Sequence, residues 1–189
     1  ILVELKESSK GGYAYSKPLI QNLAEFDVRD LFVPNLQDEP AMQQALKNVE
    51  LQLQIESETY TGLEDHVAAG MKGWASTRCV EDVVDQGLVS YQQFLIGMRL
   101  WPDKIHTICE VTTEYVIKAL QLIETVMGKI TKLTIADHCT TFMSVNQAQE
   151  FWVPFVQRVN EVFNGALRIY HNEGHILHLA HLISCAGFD

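Results

Sequence analysis

The sequence predicts a mainly α-helical fold, a bundle of about five to six helices with a short strand or hairpin near the N-terminus; an α+β fold is the alternative. Three observations carry that expectation. Apolar residues recur at helical spacing through the last two thirds of the chain, helix-start signals precede them, and the intervening loops are short. No internal repeat, low-complexity tract or linker divides the chain, so residues 1–189 read as one globular domain, with 1–15 as an extended arm or strand.

The N-terminal third is mixed. Ile1, Val3 and Leu5 alternate with other residues before the turn formers Ser8, Ser9, Gly11 and Gly12, which suggests a strand or arm. Ser16-Lys17-Pro18 has the form of a cap followed by an early proline and predicts a helix ending before Pro34; Asp38-Glu39-Pro40 repeats the signal. From Val49 to Glu56 two periodicities compete. Val49, Leu51, Leu53 and Ile55 alternate as in a half-buried strand, whereas Met42, Leu46, Val49 and Leu53 continue a helical stripe.

Beyond Thr61 the reading is helical. Thr61-Gly62-Leu63-Glu64 forms a capping box ahead of Leu63, Val67, Met71 and Trp74. A second helix is expected to start near Ser76 or Thr77, carry Val80, Val83, Val84, Leu88, Tyr91, Leu95 and Met98, and stop at Trp101-Pro102. Asp103 caps a third, whose stripe from Ile105 to Ile130 reads as the centre of the core. Ser144 to Gln147 is another capping box, opening a helix from Phe151 to Tyr170 that Pro154 kinks or restarts near Val153. Asn172-Glu173-Gly174 ends it before a short segment from His175 to Ile183, or else forms the turn of a hairpin between 167–170 and 176–182.

Charge narrows the function. The net charge is −10, from 24 acidic and 14 basic residues, and the basic ones are scattered singly, so nucleic acid is not an expected partner. The apolar stretch from Ile105 to Ile135 is broken by Glu110, Glu114, Lys118, Glu124, Lys129 and Lys132, which suits an amphipathic helix in water rather than a membrane span. Cys79, Cys109, Cys139 and Cys185 lie far apart with no CxxC pair, and no glycosylation sequon occurs; a reducing, cytoplasmic compartment fits both. The chain begins at Ile1 rather than Met, which leaves room for a leader or neighbouring domain.

Two groups of residues could carry chemistry. Four of the seven histidines fall in the segment from His171 to His181. On a continuous helix His171, His175 and His178 would share one face and could ligate a transition metal such as zinc, with Glu173 as ligand or base. Neither helical zinc-protease spacing is met, and Gly174 interrupts the helix, so no cofactor is the default expectation. Asp137-His138-Cys139 would place a Cys nucleophile beside a His base, although adjacent residues seldom face one centre and Asp137 has a simpler use as a cap or turn residue.

Three functions follow. The leading one is a non-catalytic helical module that binds a protein partner or self-assembles, with Phe26, Phe32, Trp101 and Phe188 near element ends for a partner to cover. The others are a metal-binding protein or metalloenzyme using His171, His175 and His178, and a bundle whose Ile105 to Ile135 helix takes an apolar ligand or inserts into lipid.

Overall fold

The computed structural model describes residues 5–7, 13–15, 18–59 and 73–189, the first two of these segments as backbone. The architecture is α/β, built on a three-stranded parallel sheet, and not a helical bundle. The strands are β3 (Trp74–Arg78), β4 (Lys132–Asp137) and β5 (Leu167–Asn172), lying side by side in chain order. A separate antiparallel hairpin joins β1 (Leu5–Glu7) to β2 (Tyr13–Tyr15).

The three sheet strands fall in segments that the helical reading had absorbed. In β4, Leu133, Ile135 and Asp137 are buried and alternate with half-buried Lys132, Thr134 and Ala136, a period of two. The preceding helix cannot run into it. Gly128 adopts a φ of 82°, a left-handed conformation that glycine takes without steric cost, and there the helix from residue 102 ends. Trp74 lies in β3, and Tyr170 lies in β5 rather than at a helix end. Of the alternative hairpin, the arm at 167–170 is a strand, within β5, but it pairs in parallel with β4 and not with 176–182, where residues 177–179 make a 3₁₀ turn.

Helices make the crossovers that parallel strands require. Between β3 and β4 lie α2 (Val80–Val83), a π turn at 84–88, α3 (Tyr91–Leu100) and α4 (Pro102–Met127). Pro102 occupies the first turn of α4, where its missing N–H costs nothing; Trp101, not Asp103, is the capping position. Between β4 and β5 lie α5 (Val145–Phe151) and α6 (Val153–Val162). The capping box at Ser144 and Gln147 is formed, and Pro154 breaks the run so that α6 restarts at Val153. α4 and α6 pack against each other, which puts the two crossovers on the same face of the sheet.

The core lies between that face and the helices. Leu133 and Ile135 from β4, Ile105 and Ile108 from α4, and Phe151, Phe155 and Val159 from α5 and α6 are almost wholly excluded from solvent. Each such side chain contributes roughly 1.5–3 kcal/mol of burial. Trp74 sits on the opposite face, where its Nε1–H donates to Thr134 Oγ1 at 2.8 Å and Lys132 lies 5.7 Å over its ring.

α1 (Pro40–Thr59) resolves the competing periodicities in favour of helix. Met42, Leu46, Val49 and Leu53 turn inward against α4, while Leu51 and Ile55 are about half exposed. A strand would have buried all four of 49, 51, 53 and 55, and α4 offers no sheet edge to receive them. The helix expected from Ser16 is absent over 18–34, where bends and a 3₁₀ turn at Val28–Asp30 run instead. The capping box at Thr61, its stripe through Met71, and His66 lie outside the described residues. No described helix is long and apolar enough to cross a membrane. Of the aromatic residues expected to await a partner, Phe32 is exposed, Phe26 and Trp101 pack partly on the core, and Phe188 is buried.

Candidate functional site

In parallel α/β sheets, ligands bind beyond the carboxyl ends of the strands, where chain leaves the sheet and is free to vary. Here those ends are Arg78, Asp137 and Asn172. Register places Arg78, Ala136 and His171 abreast, and Asp137 beside Asn172. Every cluster of buried polar side chains described below gathers at this end.

Asp82, on the single turn of α2, is fully buried and aimed at the chain leaving β4. Its carboxylate accepts from the backbone N–H of His138 at 3.0 Å and of Cys139 at 3.0 Å. Its Oδ2 also lies 2.7 Å from Nδ1 of His138. That contact fixes the role of the ring: Nδ1 carries a proton toward Asp82, leaving Nε2 to exchange protons elsewhere. The His138 side chain is 47% exposed. Its pKa is raised, first by the Asp82 hydrogen bond and further by the charges of Asp82 and Glu173, against the opposing effects of burial and of Arg78.

A second carboxyl group holds the same turn from the other side. Asp137, fully buried at the end of β4, accepts from Thr140 N–H at 3.1 Å, from Thr140 Oγ at 2.6 Å and from the Tyr170 hydroxyl at 2.8 Å. Burial raises its pKa, and the hydrogen bonds from Thr140 and Tyr170 counter the rise. Asn172 extends the web, donating to Thr140 Oγ at 3.3 Å and to the Tyr170 hydroxyl at 3.2 Å. Its Oδ1 receives Gly174 N–H at 2.6 Å and the Thr141 hydroxyl at 3.3 Å. Gly174 is required sterically, because a Cβ there would stand 2.0 Å from Thr141 Oγ1.

Two further buried acids flank the dyad. Burial pushes the Glu81 carboxyl well up, and its Oε2 accepts from the Cys79 thiol at 2.7 Å. Asp85, on the π turn, is pushed up to about 7, by burial first and then by the Asp82 charge. The π turn closes with Val89 N–H on Val84 O at 2.9 Å, and π turns recur at functional sites.

Asp137, His138 and Cys139 do not face one centre. His138 is the accessible member, and its partner is Asp82, 56 residues earlier. Cys139 is buried and its thiol is pushed far up by burial and by Asp85, which leaves it protonated and a poor nucleophile. Asp137 does act as a turn residue through Thr140.

The three histidines expected to share a helix face do not lie on a helix. His171 is in β5, exposed, with Nε2 3.5 Å from Glu173 Oε1; His175 is in the loop beyond; His178 sits in the 3₁₀ turn with Nε2 2.9 Å from Met143 O. The strand and the loop after Gly174 separate what a helical repeat would have stacked. Among the described residues no group of three His, Cys, Asp or Glu side chains is placed to hold a metal ion.

Asp82, Tyr170 and Asn172 had no local sequence signal. The usable signal was the period-two run from Lys132 to Asp137, which places Asp137 and His138 at a strand end.

No family model matches the chain, and no curated protein is significantly similar to it. A solved structure of a methyltransferase from Methanosarcina mazei superposes with a TM-score of 0.71 at 16% sequence identity. The superposition takes in 98% of this chain and 51% of that one, so the chain spans about half the length of that protein. What the comparison establishes is a shared α/β fold, with its parallel sheet, between this chain and half of that methyltransferase.

Proposed function

We propose that the carboxyl end of the sheet is an enzyme active site in which His138, oriented by Asp82, acts as the proton acceptor and donor of a group-transfer reaction. The observation that carries this reading is the pairing itself: a fully buried carboxylate holding one nitrogen of an imidazole whose body is half exposed. A solvent-facing ion pair would need no such burial, and a purely structural histidine would have no need of a free Nε2. The position beyond three parallel strand ends supports it, as does the π turn next to Asp82.

Methyl transfer is the reaction we favour, because the protein sharing this fold is a methyltransferase. In such a transfer the acceptor, a thiol or hydroxyl, gives its proton to Nε2 of His138. Its lone pair then takes the methyl group while the donor's leaving group departs with the electrons of the broken bond. The imidazolium formed is stabilised by Asp82, whose three hydrogen bonds keep it in place.

The test measures turnover of sulfonium and quaternary ammonium methyl donors with a thiol acceptor, in wild type, His138→Gln and Asp82→Asn. General acid–base catalysis contributes about 10²–10⁴-fold, and losses in that range are expected for His138→Gln. Turnover undiminished by His138→Gln would overturn the assignment of the dyad.

A further inference from the structure

Resting on that reading, we infer that Tyr170 is a positioning residue for the His138–Asp82 dyad, acting through Asp137 and Thr140 without touching substrate. His138 stands on a turn held by two carboxyl groups. Asp82 grips its front, at His138 and Cys139; Asp137 grips its back, at Thr140. The Tyr170 hydroxyl is the atom where the back grip meets the neighbouring strand: it lies 2.8 Å from Asp137 Oδ2, 3.0 Å from Thr140 Oγ and 3.2 Å from Asn172 Nδ2.

The ring behind that hydroxyl is fixed. It packs on Trp152 and Phe188, with centroids 5.6 and 5.1 Å away, so the hydroxyl cannot follow the turn if the turn shifts. Tyr170 pairs with Ile135 in the sheet and therefore shares the helix-covered face with Asp137, on the side away from Arg78 and His171. A group there reaches the reaction only by holding the geometry of others. What it holds is the 2.7 Å contact between His138 and Asp82, since a turn released at Thr140 is free to carry the imidazole away from a carboxylate that α2 keeps in place.

The readout is the His138 ring itself, followed by NMR of its Cε1–H across pH in the full chain. The charges facing that ring are Asp82 from α2, Glu173 from the loop after β5 and Arg78 from the end of β3, and none is altered by the variants chosen. Tyr170→Phe and Thr140→Val each lower the His138 midpoint by roughly half a pH unit, about a threefold loss of proton affinity. Thr140→Ser, which keeps the hydroxyl, restores it. Leu120→Ala, in the core on α4, serves as the structural control, lowering the melting temperature with the midpoint unmoved. Folded Tyr170→Phe and Thr140→Val proteins with the wild-type midpoint sink the inference, and so does a Leu120→Ala midpoint that moves as far as theirs. Should Tyr170→Phe fail to fold, Thr140→Val decides alone. Turnover that ignores His138 removes the catalytic reading while leaving this titration difference standing.

Discussion

His138 Nδ1 and Asp82 Oδ2 lie 2.7 Å apart across 56 residues of sequence, the acid with no solvent exposure and the base half exposed. The asymmetry sets the direction of pH effects. The folded His138 pKa is raised, so its contribution to stability is complete below the unfolded value of about 6.5 and is lost as pH rises through the folded value.

Asp82→Asn removes the charge that raises His138 and one acceptor among three donors. The His138 midpoint is expected to fall toward about 6.5, and unfolding in urea to come earlier by roughly 2–4 kcal/mol, since buried N–H groups lose a charged partner. A variant that keeps both the wild-type midpoint and its urea resistance would show that Asp82 does not hold the ring.

Asp85 carries the opposite prediction. Its folded pKa, about 7, exceeds that of an ordinary aspartate, 3.8, so the unfolded chain ionises first and stability declines between those two values as pH rises. Asp85→Asn cannot ionise, and its urea midpoint should stay flatter from pH 4 to 7, with a gain of roughly 1–3 kcal/mol at neutral pH. Identical pH slopes in the two proteins would contradict this.

Gly174→Ala puts a methyl group 2.0 Å from Thr141 Oγ1 and 2.8 Å from its Cγ2. A loss of about 1–3 kcal/mol is expected from overpacking. Thr141→Ala removes the two nearest atoms and leaves Thr141 Cβ at 2.9 Å, so the double variant should recover part of the loss and be more stable than the sum of the single losses predicts. Additive losses in a double-mutant cycle of thermal unfolding would place the strain elsewhere.

Leu133→Ala deletes the first side chain of the buried face of β4, and about 2–5 kcal/mol is the expected cost. Thr134, next in the chain, faces the other way, and Thr134→Val should cost far less while changing the fluorescence of Trp74, whose indole N–H it accepts. Comparable losses at both positions in chemical denaturation would contradict the two-faced sheet.

Some local signals in the sequence were accurate. The box at Ser144, the restart at Val153 and the proline start of α1 depend on hydrogen bonds within a few residues, and each is formed, whereas the same proline signal at Pro18 opens no helix and α4 is capped at Trp101 rather than Asp103. The sheet was missed because its pairings join residues some 35 to 60 positions apart, such as Thr77 with Ile135 and Ile135 with Tyr170. A strand buried on one face by distant helices looks, over six residues, like the continuation of a helix. The site failed to show for the same reason. His138 and Asp137 could be noticed as neighbours, but Asp82 and Tyr170 acquire their roles only when β3 and β5 flank β4.

Strands laid down in chain order, with both crossover helices on one side, separate two kinds of constraint. Substitutions between α4 and β4 are answerable to packing, while the three segments that follow Arg78, Asp137 and Asn172 answer to chemistry. Such a scaffold can exchange one specificity for another by rewriting those segments together, since Asp82 is bonded to His138 and Asn172 to Thr140 and Thr141, while the helices behind the sheet keep their packing.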